Sequence, residues 1–138
     1  MRLARLGSLH LIALGFIVGL LAGCGSDNTG PSNPPPPAGT YSLTSAQNPP
    51  NPVLTPPNAT GTLVLTGTTY NVTIDVQGQG EVQDEGTYSI SGNNWTQIST
   101  TNPGVQSTGT FTYVTATGVL TVDVTASGVR TITVWQKQ

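Results

Sequence analysis

From residue 39 onward, apolar residues recur at every second position in short runs. Tyr41 and Leu43, Leu63 and Leu65, Tyr70, Val72, Ile74 and Val76, Tyr88 and Ile90, Phe111 and Tyr113, Leu120, Val122 and Val124, and Ile132 and Val134 are set apart mainly by Thr, Ser, Asn and Asp. Successive side chains of a strand point to opposite faces, so a period of two lays one set in a core and the other in water. One-sided burial suits an antiparallel sheet, because parallel strands are covered on both faces and read as continuous apolar runs. This region has no stretch with apolar residues at helical spacing. The pattern predicts eight strands, at 39–45, 60–66, 69–76, 85–91, 94–100, 108–114, 118–125 and 129–136.

Most connections are short. Thr66-Gly67-Thr68, Ser91-Gly92-Asn93 and Ala126-Ser127-Gly128 supply the glycine or asparagine that tight hairpins need for positive φ. Only 46–59, AQNPPNPVLTPPNA, is long, and its five prolines withhold the donors a sheet requires. That segment is expected as a surface loop or lid. An open sheet of this many strands leaves two edges, and closure removes them. The expected fold is therefore all-β, a small antiparallel up-and-down barrel of about eight strands, with an immunoglobulin-like β-sandwich as the alternative. A weak repeat fits two like halves: GTYSLTS at 39 returns as GTYSISG at 86, TGTLVL at 60 as TGTFTY at 108, and TIDV at 73 as TVDV at 121.

Upstream the composition changes. Arg2 and Arg5 precede the apolar run LIALGFIVGLL at 11–21, and Ala22, Gly23 and Cys24 follow at once. A charged start, an apolar middle and small residues at the end make a secretory signal peptide. The run is about half of the roughly 20 residues a spanning helix needs. Residues 25–38, GSDNTGPSNPPPPA, carry no apolar period, and Pro34 to Pro37 enforce polyproline II. They are expected as a tether reaching roughly 40 Å at about 3.1 Å per residue.

Leu21-Ala22-Gly23-Cys24 resembles the lipobox of bacterial lipoproteins. The resemblance implies cleavage before Cys24, a diacylglyceryl group on its sulfur and, through palmitate-like chains, attachment to a membrane of the cell envelope. Two or three chains hold durably where a single chain is marginal. Gly25 and Ser26, rather than an Asp, follow the cysteine, which in this resemblance implies the outer membrane. The chain then divides into a signal peptide at 1–23, a lipidated cysteine and tether at 24–38, and a β domain at 39–138. Cys24 is the only cysteine, so the domain has no internal disulfide.

Gly39-Thr40-Tyr41, the strand Gly61 to Leu65, the strand Gly86 to Ile90 and the late Trp135 together resemble the small lipocalin-like domains of bacterial lipoproteins. That resemblance implies a barrel able to hold a small apolar ligand. Tyr41 stands where lipocalins proper have Trp, and Arg130, at the start of the last strand, is expected as a solvated strand-end charge, with a cation–π stack on Tyr41 as the alternative. Eight short strands leave room either for the barrel's own side chains or for one small ligand.

Catalysis lacks its usual groups. The only histidine, His10, lies in the signal peptide, so Ser and Thr have no such base to activate them, and neither an enzyme activity nor a cofactor is expected. Glu81, Asp84 and Glu85 in EVQDEG are expected in a solvated loop, and their spacing matches neither an acid–base pair nor a calcium loop. Asp75 and Asp123 are expected to point outward. Beyond Gly23 only Arg130 and Lys137 stand against six carboxylates, so nothing basic tracks a phosphate backbone and nucleic acid is excluded.

Two function classes remain. In a binding module, Tyr41, Tyr88, Trp95, Phe111 and Tyr113 line a mouth beneath the proline loop, and a fatty-acid-sized apolar compound sits near Trp95. In a structural or protein-interaction module the same aromatics are a filled core. A cavity of several hundred Å³ favours the first and a closed interior the second.

Overall fold

The computed structural model describes residues 32–138. The expected signal peptide, Cys24 and the first part of the tether lie outside the described residues. Eight strands follow one another: β1 (Gly39–Gln47), β2 (Ala59–Leu65), β3 (Thr69–Val76), β4 (Gly80–Ser91), β5 (Asn94–Ser99), β6 (Gln106–Val114), β7 (Val119–Ala126) and β8 (Val129–Lys137). Each pairs antiparallel with the next, and β1 pairs antiparallel with β8, so the sheet closes on itself. The fold is an up-and-down barrel and not a sandwich.

Tight turns join the strands as the glycines require. At the β7–β8 turn Ser127 and Gly128 both hold positive φ, 49° and 80°, which is the two-residue hairpin geometry that matches strand twist. Gly86 and Gly109 are needed for a different reason. A Cβ at Gly86 would run into the carbonyl oxygen of Ile98, and one at Gly109 into that of Asp123, so only glycine lets neighbouring backbone approach at these bends.

The inner face carries Tyr41, Leu43, Leu63, Leu65, Tyr70, Trp95, Phe111, Tyr113, Leu120, Val122 and Trp135, all buried. Two expectations fail. Strand β4 begins at Gly80, because 81–85 pair with β3 from Asp75 to Asn71 and form no loop. In β8 the pairing Leu120↔Trp135 and Val122↔Thr133 turns Thr131, Thr133 and Trp135 inward, leaving the expected core residues Ile132 and Val134 on the outer face. This register buries Trp135, the largest side chain of the strand, and pairs its ring nitrogen with Thr133.

The barrel has two unlike ends. At one lie the start of β1, the end of β8 and the β2–β3, β4–β5 and β6–β7 turns; at the other lie the loop after β1 and the β3–β4, β5–β6 and β7–β8 connections. Residues 33–37 pack against the first end. Pro36 is buried, Tyr41 donates its hydroxyl to the Pro37 carbonyl at 2.5 Å, and Asn33 Nδ2 donates to the Phe111 carbonyl at 3.0 Å. Asn93 Oδ1, in the β4–β5 turn, accepts from Asn33 N at 2.7 Å. The proline segment expected as free tether is thus in part a plug.

Of the three repeat matches, two relate the β2–β3 hairpin to the β6–β7 hairpin, four strands on in a ring of eight and running the same way. The third pairs the start of β1 with the end of β4, strands that run in opposite senses between the two ends, and has no counterpart in the fold.

Candidate functional site

The inward residues split the barrel interior in two along its length. Near the plugged end it is filled. Trp95 stacks on Tyr88 with ring centroids 4.6 Å apart and 9° between planes, and meets Phe111 at 6.0 Å. Tyr41, Leu65, Phe111 and Leu120 are each 2% exposed or less, so they leave no room there. Burial raises the Tyr41 phenol to about 12, with the neighbouring Tyr113 and Tyr88 adding to the shift, and burial also pushes the Tyr88 phenol upward. Both therefore stay protonated donors at neutral pH, Tyr41 to Pro37 and Tyr88 to the Thr66 carbonyl at 2.8 Å.

Towards the other end the side chains shrink and a cavity of about 370 Å³ opens. Its apolar wall comes from Leu63, Val72, Ile74, Val122 and Val124, with the tryptophans Trp95 and Trp135. A second space of about 580 Å³ adjoins it beneath the proline-rich loop and shares Ile74, Val82, Thr131 and Thr133 with it. Hydrogen bonds between Ala46 and Leu54, both ways at 2.8–2.9 Å, pin that loop over the opening. Val53, Val82 and Val129 stand more than half exposed at this end, which gives its rim an apolar part beside Gln47, Asn48 and Gln79.

One side of the cavity is polar. Asp84 is paired with Val72 in register and so points inward, where its carboxylate accepts from the Tyr70 hydroxyl at 2.7 Å and from Ser99 Oγ at 2.5 Å. Burial, and then this bond to Asp84, raise the Tyr70 phenol. Ser99 Oγ accepts in turn from the Asn102 amide at 2.8 Å, so the β5–β6 loop steadies the carboxylate. Trp95 Nε1 donates to Gln97 Oε1 at 2.9 Å, and Trp135 Nε1 to Thr133 Oγ1 at 2.8 Å. No buried side-chain nitrogen or oxygen among the described residues lacks a partner.

The five aromatics expected at a ligand mouth do come together, but around the filled end and away from the proline loop. Of Tyr41, Tyr88, Trp95, Phe111 and Tyr113, Trp95 alone borders the cavity. Trp95 and Ile98 lie on opposite faces as expected, buried and half exposed respectively. Arg130 does not reach Tyr41: it sits at the open end and grips Asp123 through Nε at 2.9 Å and Nη2 at 2.6 Å. The acidic trio is divided, since Glu81 and Glu85 face outward and Asp84 inward, and among the described residues no three His, Cys, Asp or Glu gather as metal ligands. Asp84, Tyr70, Gln97 and Thr133 are the site residues that sequence reasoning passed over. The signal that would have found Asp84 and Thr133 is the register of β4 and β8, where a polar residue takes an inward place.

No family model matches the chain, and no curated protein matches it. Among solved structures it is similar to a de novo designed fluorescence-activating β-barrel, at 16% identity and TM-score 0.48 over 73% of this chain and 93% of that one. It is similar also to a crystal structure of a mutant of the fluorescent protein UnaG, at 14% identity and TM-score 0.38 over 73% and 95% of the two chains.

Proposed function

We propose that this chain is an envelope lipoprotein, cut before Cys24 and held by lipid, whose barrel carries out no chemistry and binds one small, mainly apolar molecule. The observation that carries the binding reading is the cavity of about 370 Å³, within the roughly 300–1,000 Å³ of small-molecule sites. A barrel of eight strands is able to fill itself, and this one does so only over the plugged half. The apolar part of the rim, Val53, Val82 and Val129, suits entry of such a molecule from the far end. The chain enters at the plugged end, so a lipid anchor upstream leaves the opening directed away from its point of attachment.

A panel of small apolar compounds, followed by Trp fluorescence and thermal melting, tests the reading. A ligand present at 100 times its Kd stabilises by about 2.7 kcal/mol, which a melt resolves readily. Compounds that shift neither signal leave the filled structural module as the better account. For the anchor, Cys24→Ser is expected to abolish both cleavage and labelling by a radioactive fatty acid; label retained on the variant refutes it.

A further inference from the structure

We infer that the cavity selects an apolar molecule bearing an amine or another cationic donor, with Asp84 as its counter-charge, and that it disfavours carboxylates. The inference rests on the small-molecule reading above and names the class of ligand. Among the described residues Asp84 is the only charged group on the cavity wall. Its two oxygens offer about four lone-pair directions, and Tyr70 and Ser99 occupy one on each oxygen. Accepting capacity is left over on a carboxylate that two donors already hold in place.

No positive group answers it from within. Among the described residues the cations are Arg130, engaged with Asp123 on the outer face, and Lys137, whose Nζ stands by Gly39 at the plugged end. An alkyl carboxylate with its head in this cavity would bring a second negative charge beside Asp84 without a cation to offset either. An alkyl ammonium would complete a charge-assisted hydrogen bond there while its chain lies on Leu63, Val72 and Val122. A fatty acid, though of the size expected from the sequence, therefore carries a head group of the wrong sign.

Octylamine, octanol and octanoate share one chain and differ in head charge. The full chain in lipid nanodiscs is titrated calorimetrically with each, protein-free nanodiscs serving as the blank. Octylamine is expected to bind at least about tenfold more tightly than octanoate, a difference of about 1.4 kcal/mol. Asp84→Asn, which keeps the shape and one acceptor, is expected to erase that preference and to move octanol less than about threefold. Equal binding of all three, tighter octanoate, or a preference that survives Asp84→Asn overturns the charge selection and leaves small-molecule binding standing. Absence of binding by all three overturns both. Should Asp84→Asn fail to fold, the wild-type ranking decides, and Tyr70→Phe, which retains the carboxylate, is expected to keep the amine first.

Discussion

Tyr70 on β3 donates its phenolic hydrogen to Asp84 on β4 at 2.7 Å, so the one inward carboxylate of the barrel is held by a neighbouring strand's aromatic side chain. A hydrogen bond to a charged acceptor contributes about 1.5–3 kcal/mol when buried, and Asp84 is only half-buried. Tyr70→Phe is expected to cost about 1–2 kcal/mol, read as a fall in the urea midpoint at unchanged slope. An unchanged midpoint would mean that water replaces the phenol without loss.

The buried phenols set an alkaline limit. Folding raises Tyr41 to about 12 from an ordinary 10, and raises Tyr70 and Tyr88 too, so the folded chain holds these protons more tightly than the unfolded one. Their contribution is therefore intact below about pH 10 and is lost as pH climbs from there towards 12. Urea midpoints between pH 8 and pH 11.5 are expected to be flat at first and then to fall, and Tyr41→Phe to soften the fall. A midpoint constant to pH 11.5 would contradict the burial of these hydroxyls.

Gly109→Ala and Gly86→Ala force a methyl into a neighbouring strand's backbone, which has no rotamer by which to yield. Each is expected to cost about 3 kcal/mol, at the upper end of overpacking effects. Gly67→Ala, with nothing within 4 Å of the added carbon, is expected to stay within about 0.5 kcal/mol of wild type. Thermal melts that fail to separate the two classes would show that the barrel bends without glycine.

Face assignments are tested by charge. Val122, 6% exposed, and Ile74, half-buried beside the cavity, point inward, while Thr73 and Thr121 pair on the outer face. An unpaired buried carboxylate costs several kcal/mol, so Val122→Asp is expected to unfold the domain and Ile74→Asp to cost less, since Ile74 is only half-buried. Thr73→Asp and Thr121→Asp are expected to be nearly silent. Circular dichroism melts of the four variants decide, and similar losses on both faces would refute the register.

The plug is tested at Asn93, whose Oδ1 accepts from both Asn33 N and Asn33 Nδ2. Asn93→Ala is expected to cost only about 1 kcal/mol, because these bonds are exposed. Amide exchange at Asn33 is expected to rise to that of free chain while the barrel amides keep their protection. Exchange that does not change would mean that Pro36 and Pro37 hold the segment alone.

The period of two along the chain by itself determined the class of fold, the number of strands and most of the inner face. That signal is local: alternation records which side of a strand meets water, residue by residue. It failed where an inward place is polar. Asp84 made the first half of β4 look like a solvated loop, and Thr131 and Thr133 hid the inner face of β8 behind Ile132 and Val134. What only the tertiary structure decided depends on partners far apart in sequence. Closure of β1 on β8, from Tyr41↔Lys137 to Gln47↔Ile132, chose barrel over sandwich. The fold of residues 33–37 onto the β4–β5 turn chose which end is plugged, and the register of the paired strands placed the aromatics in a filled core at that end and the cavity beside Asp84. Alternation tells inside from outside but carries no information about position along the barrel axis, and a binding site in a barrel is a matter of that position.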